Sequence, residues 1–172
     1  MDHTLREWVR LGEKCGLAQA ALEAQAKETR MDRTHIRQVM LAHWHDMQSA
    51  IRTGLAPGLR SVSGLSGGQA VKLLNRMQEG KSLCGTLLGK AEAYALATAE
   101  CNACMGKIVA APTAGACGIL PGLLQALAEE RNFQEDALVD ALFVAAAVGE
   151  SIASQASISG AEGGCQAECG SA

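Results

Sequence analysis

Three short stretches of this sequence combine small hydroxyl side chains with glycine: Ser61-Val-Ser-Gly-Leu-Ser-Gly-Gly68, Ala111-Pro-Thr-Ala-Gly-Ala-Cys-Gly118 and Ser157-Ile-Ser-Gly-Ala-Glu-Gly-Gly-Cys165. Glycine lets backbone N–H groups come close to a ligand. A helix start behind such a loop adds a partial positive charge, so the combination suits a carboxylate or a phosphate. The plainer reading of any one of them is a tight turn between crowded helices. Three in one chain favour a shared ligand. None ends in Gly-Lys-Ser/Thr, so none is a P-loop.

The sulfurs come next. Cys101-Asn-Ala-Cys104 has the spacing of a redox or zinc motif. Redox use needs a βαβ context, and here the motif falls in a helical stretch. A zinc site needs two further ligands, which Cys117, Cys165 and Cys169 supply only if the fold gathers them. The plain reading makes Cys15, Cys84, Cys101 and Cys104 buried small apolar residues. Cys165 differs, because it ends a glycine-rich loop beside Gln166 and Glu168. Cys169 follows at i+4, on the same face if a helix starts there. His43 and His45 flank Trp44 two residues apart, a poor chelate on a helix, and read as surface residues. Lys72, Lys81, Lys90 and Lys107 are candidates for a pyridoxal phosphate Schiff base. Lys107, just ahead of the central loop, is the best placed.

Helices must position these groups. Apolar spacing predicts helices over 4–27, 33–53, 69–77, 87–105, 117–130 and 134–155. Gly12 and Gly16 weaken the first and mark a break within it. Asp32 is the N-cap of the second, and Gly54 with Pro57 ends it. Gly80 and Gly85 bracket a joint. Pro121 is tolerable only in the first turn of its helix. Residues 107–111 are short and β-branched with no partner strand in view. The expected fold is mainly α: a helical bundle with Gly/Ser-rich loops at one end.

Composition bounds the function. The 172 residues are one domain's worth, and aromatics are only 3%, so Ala, Leu, Val, Ile and Met must build the core. The net charge of −3 argues against a nucleic-acid partner. Residues 108–128 carry no charge, but prolines and glycines interrupt them, so no membrane span is expected. Charges near the N-terminus fall where a secretory signal would be apolar, which points to a reducing, cytoplasmic location.

Asn102-Ala-Cys-Met-Gly-Lys-Ile-Val-Ala-Ala-Pro-Thr-Ala-Gly-Ala-Cys-Gly-Ile-Leu-Pro-Gly122 resembles the central signature of the iron–sulfur-dependent L-serine dehydratases, in particular the α chain of the two-subunit form. Ser63-Gly-Leu-Ser-Gly-Gly68 and Ser159-Gly-Ala-Glu-Gly-Gly-Cys-Gln-Ala-Glu168 are similar to that family's other motifs, in the same order. The resemblance runs from about the second helix to the end of the sequence. It implies conversion of L-serine to pyruvate and ammonia without pyridoxal phosphate, through a [4Fe–4S] cluster held by three cysteines. It implies that Cys165 is one of those ligands. The family's other two lie in Cys-Asp-Pro and Val-Pro-Cys motifs, neither of which occurs here. The sequence is therefore expected to be a single, incomplete α-type domain spanning 1–172. It would work with a β chain, and alone it would hold no stable cluster.

The implied chemistry suits these residues. Loss of water from serine needs a Lewis acid on the β-hydroxyl, and an iron with an open position supplies one. The serine carboxylate needs a clamp, for which Ser63, Ser66, Thr113 and Gly115 are the candidates. The base that takes the α-proton is not named by the sequence. Two other readings stand beside this one: a pyridoxal phosphate-dependent lyase using a lysine, and a non-catalytic helical zinc-binding module.

Overall fold

The computed structural model describes residues 3–172. All regular elements among them are helices. Thr4 and Glu7 start the first by exchanging hydrogen bonds: Glu7 N donates to Thr4 Oγ1 at 3.4 Å, and Thr4 N to Glu7 Oε2 at 2.7 Å. The expected long first helix is in fact two, α1 (Leu5–Cys15) and α2 (Leu17–Thr29). Gly16 separates them at φ 84°, a backbone conformation that side chains with a Cβ rarely adopt. The break lets Trp8 of α1 and Ala20, Ala21 and Leu22 of α2 face one apolar cluster.

Asp32 caps α3 (Arg33–Gly54), accepting from Thr34 N at 2.8 Å and from His35 N at 3.4 Å. This helix runs through the centre of the molecule. Ile36 packs with Trp8, Leu22, Val139 and Phe143; Trp44 and Met47 with Leu124, Leu138 and Leu142; Ile51 with Tyr94, Ala97 and Ala126. Helices α4 (Gln69–Gln78), α5 (Gly85–Ala103), α6 (Ile119–Arg131) and α7 (Glu135–Ala153) complete the bundle. One turn, α8 (Gly160–Gly163), and the short α9 (Cys165–Ser171) follow.

Small residues take the place of aromatics in this core. A Cβ on Gly54 would collide with the backbone of Ala97, so α3 and α5 cross at backbone contact. Gly118 and Gly122 sit equally close to the backbone of Ala91 and Ala95, bringing α6 against α5. Pro121 lies in the first turn of α6 and is buried. Arg37 ties α3 to α7, reaching Asp140 Oδ1 at 2.5 Å and Asp136 Oδ1 at 3.1 Å. Residues 106–110 are non-helical and pair with no strand.

Two expectations need correction. Cys15 and Cys84 are exposed rather than buried, and Cys104 is half-buried. Cys15 ends α1 at the turn into α2, and Cys84 precedes the first turn of α5. Neither position belongs to an apolar helix face. The stretch 157–164 also contains a helical turn, closed by Gly163 N donating to Ser159 O at 2.9 Å.

Candidate functional site

The last turn of α5 holds two of the three loops. The first loop docks there through Glu100, which is 4% exposed. Its carboxylate accepts from Gly68 N at 3.0 Å and from Gln69 N at 2.7 Å. These are the first N–H groups of α4, so the anion position that the sequence offers a ligand at that helix start is filled from within. Cys104 Sγ donates to Arg60 O at 2.9 Å, and Val62 N to Ala103 O at 3.4 Å. The central loop is fastened one residue beyond Cys101, where Asn102 Nδ2 donates to Ala114 O at 3.2 Å. The Cys-x-x-Cys segment is thus an anchoring turn. Burial, with Cys104 adding to it, pushes the Cys101 thiol above its ordinary pKa. Burial does the same to Cys117.

Within the first loop, Ser61 does the closing. Its N–H donates to Ser66 O at 2.9 Å, and its hydroxyl accepts from Ser66 N at 3.1 Å. Ser63 is exposed, with Oγ 3.1 Å from Ser61 Oγ and accepting from Leu65 N at 3.4 Å. The Ser66 side chain is exposed and has no hydrogen-bond partner among the described residues. In the central loop, the Thr113 carbonyl accepts from Ala116 N at 3.3 Å. Its hydroxyl oxygen is buried and also has no partner among the described residues. A buried hydroxyl without a partner is uncommon and marks a place where a donor or acceptor is wanted.

The third loop meets the central one through Glu168. Its carboxylate lies against Gly115 on one side and Gly160 on the other, where a Cβ would sit 2.6 Å from Glu168 Oε1. Cys165, at the start of α9, is exposed, and its Sγ is 3.6 Å from that of Cys169. The i, i+4 spacing places both sulfurs on one face of α9. Their shared hydrogen bond is the main cause holding the Cys169 thiol above its usual pKa.

Of Ser63, Ser66, Thr113, Gly115 and Cys165, which the sequence singles out, the structure sets Gly115 against Glu168, one turn along α9 from Cys165. Sequence reasoning did not single out Glu168, which the spacing of one turn from Cys165 could have shown. It also missed Ser61 and Glu100, whose roles depend on long-range contacts. Lys107 does not stand free: its Nζ is 2.7 Å from Asp46 Oδ2. Lys90 is paired with Glu129 at 3.2 Å and with Glu130 at 2.8 Å.

The five cysteines offered to zinc are not gathered. Among the described residues no three His, Cys, Asp or Glu side chains converge as a metal site. By the same test the described residues do not supply the three thiolates of a cluster. A cavity of about 1160 Å³ opens between α2, α3, α7 and residues 109–112, lined by Trp8, Met47, Val109 and Phe143 and bordered by Pro112 and Ile158 of the loops and Ser171 of α9. It touches none of Ser63, Ser66, Thr113, Gly115 and Cys165. Among the described residues no helix is long and apolar enough to cross a membrane.

The family described as "Serine dehydratase alpha chain" matches residues 12–172, and the chain belongs to that family. It is 50% identical over 126 residues to the "Probable L-serine dehydratase, alpha chain" of Bacillus subtilis, covering 73% of this chain and 42% of that protein. It is 36% identical over 174 residues to the "L-serine dehydratase, alpha chain" of Peptoniphilus asaccharolyticus, covering 100% of this chain and 60% of the relative. The "L-serine dehydratase" of Streptomyces coelicolor is 36% identical over 175 residues, 96% of this chain and 37% of that protein. The chain thus spans between 37% and 60% of the length of these curated relatives.

Proposed function

We propose that this chain is part of the α subunit of an L-serine ammonia-lyase, converting L-serine to pyruvate and ammonia together with a β chain in the cytoplasm. The observation that carries this reading is the family match across residues 12–172. The meeting of the central and third loops at Glu168, beside the exposed Cys165, supports it. Cys165 is the thiolate this chain would bring to the family's [4Fe–4S] cluster. The residues present supply the substrate-binding side. Ser63, Ser66, Thr113 and Gly115 line the two loops tied to the end of α5, and the unpartnered hydroxyl of Thr113 is free to donate to a carboxylate.

The test uses the complete enzyme, assembled with its β chain and purified without oxygen. We expect pyruvate formation from L-serine and bound iron, with both lost in Cys165→Ala. Full turnover after Cys165→Ala would refute the assignment of that thiolate. Borohydride trapping of a lysine during turnover would instead support the pyridoxal phosphate reading.

A further inference from the structure

Glu168 is half-buried in the seam between the central and third loops. Two glycines form the walls of its slot. A Cβ on Gly115 would collide with Glu168 Oε2, and one on Gly160 would lie 2.6 Å from its Cδ. A side chain at either position would push the carboxylate out. Two other carboxylates beside these loops have partners: Glu100 holds two N–H groups, and Glu162 accepts from Ser157 Oγ at 2.6 Å. The carboxylate of Glu168 has none among the described residues. A carboxylate with no donor of its own can accept from a cationic donor that enters the seam.

Two residues from Gly115, the buried Thr113 hydroxyl is likewise unmatched. The central loop therefore carries an unmatched neutral donor two residues from the glycine that the Glu168 carboxylate touches. Donor and anion together complement a zwitterion bearing an ammonium and a carboxylate. We propose that Glu168 binds the α-ammonium group of the amino-acid substrate, while Thr113 Oγ1 donates to its carboxylate. This rests on the reading that the chain acts on an α-amino acid. It gives Glu168 a role in substrate binding, separate from any cluster ligand.

The experiment compares ligands with and without the amine in the complete enzyme. In Glu168→Gln, KM for L-serine rises about tenfold or more, the loss expected when a charged partner becomes neutral. The inhibition constant of 3-hydroxypropanoate, which lacks the amine, stays within about twofold of wild type. Glu168→Asp restores part of the serine affinity, and Gly115→Ala, by displacing the carboxylate, reproduces the loss. Equal weakening of both ligands would mean a structural role and overturn the proposal. So would an unchanged KM with a reduced kcat, which would make Glu168 a base. L-Alanine and propanoate test binding without turnover. Thermal stabilisation by L-alanine should exceed that by propanoate in wild type, and the difference should vanish in Glu168→Gln. If wild type binds L-alanine selectively but does not consume L-serine, the lyase reading fails while the ammonium assignment stands. If the two ligands stabilise wild type equally, the assignment fails whatever the reaction.

Discussion

Burial sorts the seven cysteines more sharply than their spacing does. Cys101 and Cys117 are each 1% exposed, whereas Cys15, Cys84, Cys165 and Cys169 reach solvent. Thiolate, not thiol, reacts with alkylating agents, and burial raises the thiol pKa as well as blocking access. Brief iodoacetamide treatment of the folded, cluster-free protein should therefore label Cys15, Cys84 and Cys165, with Cys169 following more slowly because its thiol is held up. Cys101 and Cys117 should react about tenfold more slowly or less, and should label fully only in denaturant. Mass spectrometry of the digested protein reads the result. Rapid native labelling of Cys117 would contradict its packed position. The Cys-x-x-Cys spacing alone could not reveal this, because the pattern is shared by redox, zinc and anchoring uses. Contacts with Lys107, Ala114 and Arg60 decide among them, and each lies outside the motif.

Among the elements, α5 matters most to the site. The Glu100 carboxylate is where the N-terminus of α4 and the end of α5 meet. Glu100→Ala would leave two N–H groups without their acceptor and remove a negative charge from the start of α4. A loss of about 3 kcal/mol in urea unfolding is expected, with faster amide exchange in residues 69–72. No change in stability would show that water replaces the carboxylate freely. The helices themselves were largely legible from apolar spacing, and Asp32, Gly54 and Pro121 fall at the boundaries expected of them. The long first helix was not, because a glycine inside a periodic pattern can be tolerated or can break it. Packing of Trp8 and Leu22 onto one cluster selects the break.

On the scale of the whole molecule, α5 and α6 are clamped by a network of ionisable groups. Tyr94 is 8% exposed, and its hydroxyl donates to both oxygens of Glu129, at 3.0 and 2.9 Å. Burial first, then the bond to Glu129, pushes the phenol up to about 12. An unfolded tyrosine ionises near 10. The protonated phenol thus favours the fold fully below pH 10, and that contribution is lost as pH rises toward 12. The slope is at most about 1.4 kcal/mol per pH unit. Thermal melts between pH 9 and 12 should show the decline, and Tyr94→Phe should flatten it. An equal decline in the variant would place the alkaline transition elsewhere. Burial alone would raise the Glu129 carboxyl, but hydrogen bonds from Gln125, Tyr94 and Lys90 outweigh it and hold it below its ordinary value. Its contribution is therefore present at neutral pH and lost as pH falls through that lowered value.

From the order of residues alone came the helical class, the Asp32 cap and the first two glycine-rich loops, since periodicity, capping chemistry and glycine placement act over a few neighbours. Tertiary packing alone decided which helix-start N–H groups a carboxylate already fills, which cysteines are buried, and that Glu168 enters a slot between Gly115 and Gly160. Those outcomes depend on backbone approach between segments far apart in the chain, and on the desolvation that such approach imposes.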